Sequence, residues 1–130
     1  MMKKLLHLIL FLSLSNSLFG QSQTEMNQVA CDSANKADKE LNQVFQKILK
    51  DYKEDTVFIK NIKAAQLQWI KLRDADLKAI YTPGEFYGSV EPMCRCFILE
   101  SKTKERIKFL KTWTEGTVEG DACTGTRKNN

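Results

Sequence analysis

The stretch Ala64-Ala-Gln-Leu-Gln-Trp-Ile-Lys-Leu-Arg-Asp-Ala-Asp-Leu77 constrains this chain more than any other. Gln66, Trp69 and Arg73 stand three and four residues apart, so on a helix they form one stripe. Ala65, Trp69, Leu72 and Ile80 continue an apolar phase beside it. A Trp inside such a pattern is the largest unit of apolar area the helix can bury. An Arg one turn beyond can lay its stem on the same surface and offer a planar fork to a carboxylate. The other helices are therefore expected to pack around Trp69.

That helix is expected over residues 56–81, with Phe58, Ile62, Ala65, Trp69, Leu72 and Ile80 inward. Asp74 and Asp76 do not make an acid–base pair, because residues two apart on a helix point about 200° apart. Asp76 is instead expected to pair with Arg73. Gln66, Trp69 and Arg73 read as core and core-edge residues rather than as binding groups.

A first helix is expected over residues 24–54, capped by Thr24. Ala34, Ala37, Leu41, Val44, Phe45, Ile48 and Tyr52 recur along it at steps of three and four, and its lysines lie mostly off that stripe. Asp51, Glu54 and Asp55 read as a solvated helix end rather than a metal patch, since nothing else converges there. A third helix is expected from about 95 to 113, with Leu99, Thr103, Ile107 and Leu110 inward and Arg106 and Trp113 at its edge. Residues 115–130, with Gly116, Gly120 and Gly125, lack periodicity and read as a tail.

Residues 82–93 form the long connection between the second and third helices. Pro83-Gly84 reads as a turn, and Pro92 stops a helix from entering from behind. Phe86 and Tyr87 are conspicuous on a loop. Two readings stay open: a lid folded over the end of the bundle, or an exposed recognition loop. Together these elements define an all-α fold, a small antiparallel three-helix bundle with a long loop between helices 2 and 3.

Residues 1–20 read as a secretory signal. Lys3 and Lys4 form the charged start, and Leu5–Leu14 is an apolar run too short to span a bilayer comfortably. Gly20 is the expected last residue before cleavage. No Cys stands just after the run, so no lipid anchor is expected, and no stable membrane anchor once the signal is cleaved. Losing Lys3 and Lys4 takes the net charge from +4 to +2. The signs are interspersed, which gives no case for nucleic acid. The single His, His7, leaves with the signal, and with it go Ser-His-Asp and Cys-His catalysis and His-bound zinc. No glycine-rich phosphate loop is present. No cofactor, metal site or catalytic residue is expected.

Cys31, Cys94, Cys96 and Cys123 remain. In an oxidising compartment they are expected to form two bridges. Pairing Cys94 with Cys96 strains the geometry across one residue. Helix phase stepped back from Leu110 puts Cys96 inward and Cys94 outward. Cys31–Cys96 with Cys94–Cys123 is therefore expected, the second bridge tethering the tail. A four-thiolate zinc site does not suit this spacing.

Ala-Gln-x-x-Trp-x-x-x-Arg-Asp, ending at Asp74, is similar to the signature of the LprI-like family, small secreted bacterial helical domains named for a lysozyme inhibitor. Three further pieces agree. Glu25-Met-Asn with Ala37-Asp38-Lys-Glu-Leu-Asn42 resembles the family's first helix. Gly88-Ser-Val-Glu-Pro-Met93 resembles its connecting loop, and Thr103-Lys-Glu-Arg106 with Leu110 its last helix. This chain departs at Leu77, where the family often has a Cys shortly after Arg-Asp, and at Val29, where an early Cys is displaced to Cys31.

The resemblance implies a domain over residues 21–114 that is secreted or periplasmic, is not an enzyme, and takes a lysozyme-type muramidase as its partner. Phe86, Tyr87, Ser89 and Arg95 are the expected contact groups, with Arg95 able to meet a catalytic carboxylate. The alternative is a structural or envelope-stress domain with no enzyme target.

Overall fold

Three helices carry the fold in the computed structural model: α1 (Met2–Asp51), α2 (Thr56–Ile80) and α3 (Glu91–Lys111). The structure describes residues 2–129, with side chains from Ser22 onward. The expected signal, residues 1–20, lies outside the residues whose side chains are described.

The expected all-helical, disulfide-stapled bundle is what forms. Residue pairings give its sense. Cys31 is bonded to Cys96, Ser33 donates to Glu100 at 2.7 Å, and Tyr52 donates to the carbonyl of Trp113 at 3.0 Å. Both numbers rise together, so α1 and α3 run parallel. Asp76 pairs with Lys102, Gln66 with Arg106 and Phe58 with Trp113, so α2 runs against α3. Helices α1 and α3 form the closest pair. Ala30, Ala34 and Ala37 explain this, because small buried side chains on α1 let the backbone of α3 approach.

The core is built from Leu41 and Ile48 of α1, Phe58 and Ile62 of α2, and Ile107 and Leu110 of α3. Val44, Phe45, Tyr52, Trp69 and Trp113 pack around it. The stripes expected on α1 and on α3 from Thr103 onward are the buried ones. Helix α3 starts at Glu91 rather than near 95, with Pro92 in its first turn, where a missing N–H costs nothing. Cys94 and Cys96 therefore both lie on the helix.

Helix α2 is rotated from expectation. Its buried residues are Phe58, Ile62, Gln66 and Leu77, while Ala65, Leu72 and Ile80 are exposed. Gln66 is only 6 % exposed because Arg106 of α3 needs its amide oxygen. Seating that pair turns the Gln66–Trp69–Arg73 stripe inward and the apolar phase beside it outward.

Three further expectations are corrected. Thr24 is an interior residue of α1 rather than its N-cap. Asp55 does the capping at the next helix start, accepting from Phe58 N at 2.9 Å. Arg73 pairs with Asp74 at 3.0 Å and with Asp38 of α1 at 3.4 Å rather than with Asp76, which Lys102 takes at 2.6 Å.

The Cys94–Cys123 bridge is not formed, and both thiols are free. The tail is held by hydrogen bonds instead. Thr117 N donates to Lys128 O at 3.0 Å, Lys128 N to Thr112 O at 3.2 Å, and the Trp113 indole to Thr126 Oγ1 at 3.2 Å. The Arg127 guanidinium donates to the carbonyls of Cys123 and Thr124. These bonds close the segment on α3 without a covalent tie.

Candidate functional site

The loop between α2 and α3 is built from a turn outward. Glu85 N donates to Thr82 O at 3.2 Å, closing a turn with Pro83 second and Gly84 third. Gly84 has φ +90°, the left-handed region that a turn of this kind requires at its third position. Phe86 follows at the apex and is 88 % exposed, so nothing in the fold covers its ring.

The rest of the loop is braced. The Tyr87 hydroxyl accepts from Thr82 N at 3.1 Å. The Tyr87 ring meets Tyr81 edge-on with centroids 5.3 Å apart. The Arg95 guanidinium lies 5.4 Å from the centroid of the Tyr81 ring and pairs with Glu91 at 3.4 Å. Asn27 of α1 donates to the carbonyl of Ser89 at 3.0 Å. Burial, and the Cys94 thiol beside it, push the Tyr81 hydroxyl above its ordinary pKa. Cys31–Cys96 ties α1 to α3 just beyond this point.

Phe86, Tyr87, Ser89 and Arg95 thus fall in one region, but with different parts. Phe86 is presented, Tyr87 and Arg95 brace, and Ser89 contributes its backbone carbonyl as an anchor. Tyr81 and Asn27 complete the bracing. Nothing in their local sequence marks them, since each acts through a partner outside its own segment.

The motif residues form a second cluster inside the bundle. The Trp69 indole has the Arg73 guanidinium 5.2 Å from its centroid and that of Arg106 at 5.8 Å. Arg106 also lies 5.3 Å from the Phe109 ring. It donates through Nε to Gln66, while its Nη2 is buried without a partner. Burial lowers the pKa of this guanidinium. Arg73 is largely covered and held by Asp38 and Asp74. The cluster cements α2 to its neighbours and leaves no open position for a reacting group. Among the described residues, no group of three or more metal-ligating side chains converges.

The molecule is therefore a small disulfide-stapled helical domain that presents one braced, aromatic-tipped loop. Residues 16–110 match the family described as lysozyme inhibitor LprI, and the chain belongs to that family. By that description it is a family of inhibitors rather than of enzymes. No curated protein and no solved structure matches the chain.

Proposed function

We propose that this chain is a secreted or periplasmic binding protein that blocks a lysozyme-type muramidase through residues 82–95, the loop and the start of α3. The observation that carries the reading is the pairing of a fully presented Phe86 with a braced base. A ring that is uncovered in the free protein pays no cost to be uncovered for a partner. A loop already fixed by Tyr87–Thr82, Arg95–Tyr81 and Asn27–Ser89 loses little freedom on docking. A muramidase cleft works with two carboxylates flanking the scissile bond and holds sugars by hydrogen bonds and stacking. An apolar ring inserted there takes the place of a sugar face, and the Thr82–Val90 backbone excludes water around it.

In this reading Arg95 acts by holding the loop, since Glu91 and Tyr81 already engage it. The family match supports a lysozyme-inhibitor-like protein in general. The test is inhibition of muramidase-driven clearing of a cell-wall suspension. Phe86→Ala is expected to weaken inhibition by about 2 kcal/mol or more, roughly 30-fold, as for an anchoring aromatic. Tyr87→Ala is expected to weaken it less, by loosening the loop. Full inhibition by Phe86→Ala would move the site elsewhere. No inhibition by the unaltered protein at high excess would favour the structural alternative.

A further inference from the structure

The outer side of α2 is a surface that neither the core nor the loop uses. Lys60, Lys63, Leu67, Lys71 and Lys78 follow one another at steps of three, four, four and seven residues, which places them on one side of the helix. All four lysines are exposed, and none has an ion-pair or hydrogen-bond partner among the described residues. One acid, Asp74, falls on this side between Lys71 and Lys78, and Arg73 holds it; Asp76 is held by Lys102.

Apolar residues accompany this row. Val57, Leu67 and Leu72 are 69, 52 and 61 % exposed. Leu67 sits within the lysines; by helix phase Val57 lies about 70° from the centre of the row on the α3 side and Leu72 about 130° round in the same direction. Leu72 is there because the Gln66–Arg106 pair turned it outward. Singly, exposed aliphatic residues are ordinary surface. Lysines free of partners, with one leucine among them and aliphatic side chains on the arc beside them, are the pattern of a helix that lies in a membrane interface, its lysines reaching sideways to the headgroups.

Helix α1 provides the contrast. Lys36, Lys39, Lys47 and Lys50 also share one side, but Gln43 and Gln46 lie among them, the exposed Val29 stands apart seven residues before the first, and Lys47 is paired with Asp51.

We propose that the outer face of α2 docks on an anionic lipid bilayer. The four lysines would meet the phosphate-bearing headgroups over a row of about 27 Å, at the helical rise per residue. Val57, Leu67 and Leu72 enter the boundary between headgroups and chains. A soluble polyanion would satisfy the lysines but gains nothing from the aliphatic residues, which is why the lipid surface fits better. No helix among the described residues is long and apolar enough to cross a membrane, so the contact is peripheral. The Phe86 loop lies beyond the end of α2 and stays in water when this face is docked. The inference does not depend on the inhibitor reading.

The experiment is co-sedimentation of the full chain with vesicles of phosphatidylcholine alone or mixed with phosphatidylglycerol. Any partition of the apolar segment Leu5–Leu14 is common to all arms. Binding is expected on the anionic vesicles above the neutral ones, falling as salt rises. Lys60→Gln/Lys63→Gln/Lys71→Gln/Lys78→Gln is expected to lower it by roughly 600-fold, from about fivefold per lysine. Lys36→Gln/Lys39→Gln/Lys47→Gln/Lys50→Gln makes the same change in net charge and is expected to keep most of the binding. Leu67→Ser/Leu72→Ser is expected to weaken it several-fold with helical content unchanged. Equal losses in the two lysine variants would reduce the effect to net charge and overturn the proposal. Unchanged binding by the leucine variant would overturn it in favour of a soluble polyanion, and absence of a headgroup preference would overturn it outright.

Discussion

The amide oxygen of Gln66 accepts a 2.9 Å hydrogen bond from Nε of Arg106, a contact between α2 and α3. It sets which side of α2 faces the core, and it seats a desolvated guanidinium against Trp69 and Phe109. Gln66 is buried, so removing its oxygen leaves a charged donor without a partner.

Gln66→Leu is therefore expected to destabilise the protein by about 2–3 kcal/mol, the cost of an unsatisfied buried charged group. Gln66→Leu combined with Arg106→Met removes both partners and is expected to recover at least half of that loss. Chemical denaturation of the two single variants and the double variant checks this. A double variant as unstable as the sum of the singles would mean that the pair is not coupled.

Trp69 is half-buried, with the guanidiniums of Arg73 and Arg106 both stacked near its ring. Trp69→Ala is expected to cost about 3 kcal/mol, the lower end for a large aromatic truncation. Trp69→Phe is expected to keep more than half of that, since a smaller ring still fills the site. Thermal melting at fixed pH separates them.

The four cysteines are expected to behave as one bridge and two thiols. Tryptic cleavage after Arg95 under non-reducing conditions separates Cys94 from Cys96, and the Cys31–Cys96 peptide is the expected linked species. Cys123, which is exposed, is expected to react with a thiol reagent faster than the half-buried Cys94. The bridge spans 65 residues, so reducing it is expected to cost about 4 kcal/mol by the loop-entropy account. A Cys94–Cys123 peptide from freshly isolated protein would contradict this.

Glu100 gives the protein an acid limb. Its carboxylate accepts from Lys104 at 2.6 Å and from Ser33 at 2.7 Å, and Lys104 first, then Ser33, holds its pKa below the ordinary 4.5. A lowered folded pKa means that the unfolded chain binds the proton more readily. The stabilisation is therefore complete above the ordinary glutamate range and is lost as pH falls through that range towards the depressed value. Ser33→Ala is expected to lessen the fall in melting temperature between neutral pH and about pH 3. An unchanged acid limb would assign that limb to other carboxylates.

How far the fold was legible depended on what each segment buries. Helices α1 and α3 bury mostly apolar residues at steps of three and four, so their inner faces could be read directly. Helix α2 buries Gln66 and exposes Leu72, and a count of apolar residues points it the wrong way. The information that corrects it is held in Arg106, on another helix. Arg73 shows the same gap, because Asp38 of α1 reaches it while Asp76 goes to Lys102. The Cys31–Cys96 bridge followed from helix phase. The order of the tail did not, since backbone bonds such as Thr117 to Lys128 have no side-chain signature. In the loop, Phe86 and Tyr87 stood out as aromatic residues among turn formers. Their division into a presented and a bracing ring rests on Tyr81, which the sequence placed at the end of a helix.

The parallel pairing of α1 with α3 has a consequence for how the molecule comes apart. These two helices are joined covalently near one end, at Cys31–Cys96, and by the Tyr52–Trp113 bond near the other. Helix α2 is held by the apolar packing of Phe58 and Ile62, the Gln66–Arg106 hydrogen bond, ring stacking and ion pairs, with no disulfide to either neighbour. Detaching it breaks no covalent tie and leaves the α1–α3 stem whole, whereas separating the stem requires global unfolding. Amide protons of α2 should therefore exchange through a lower-energy opening than those of Leu41 or Leu110, making this domain two cooperative units within a single core.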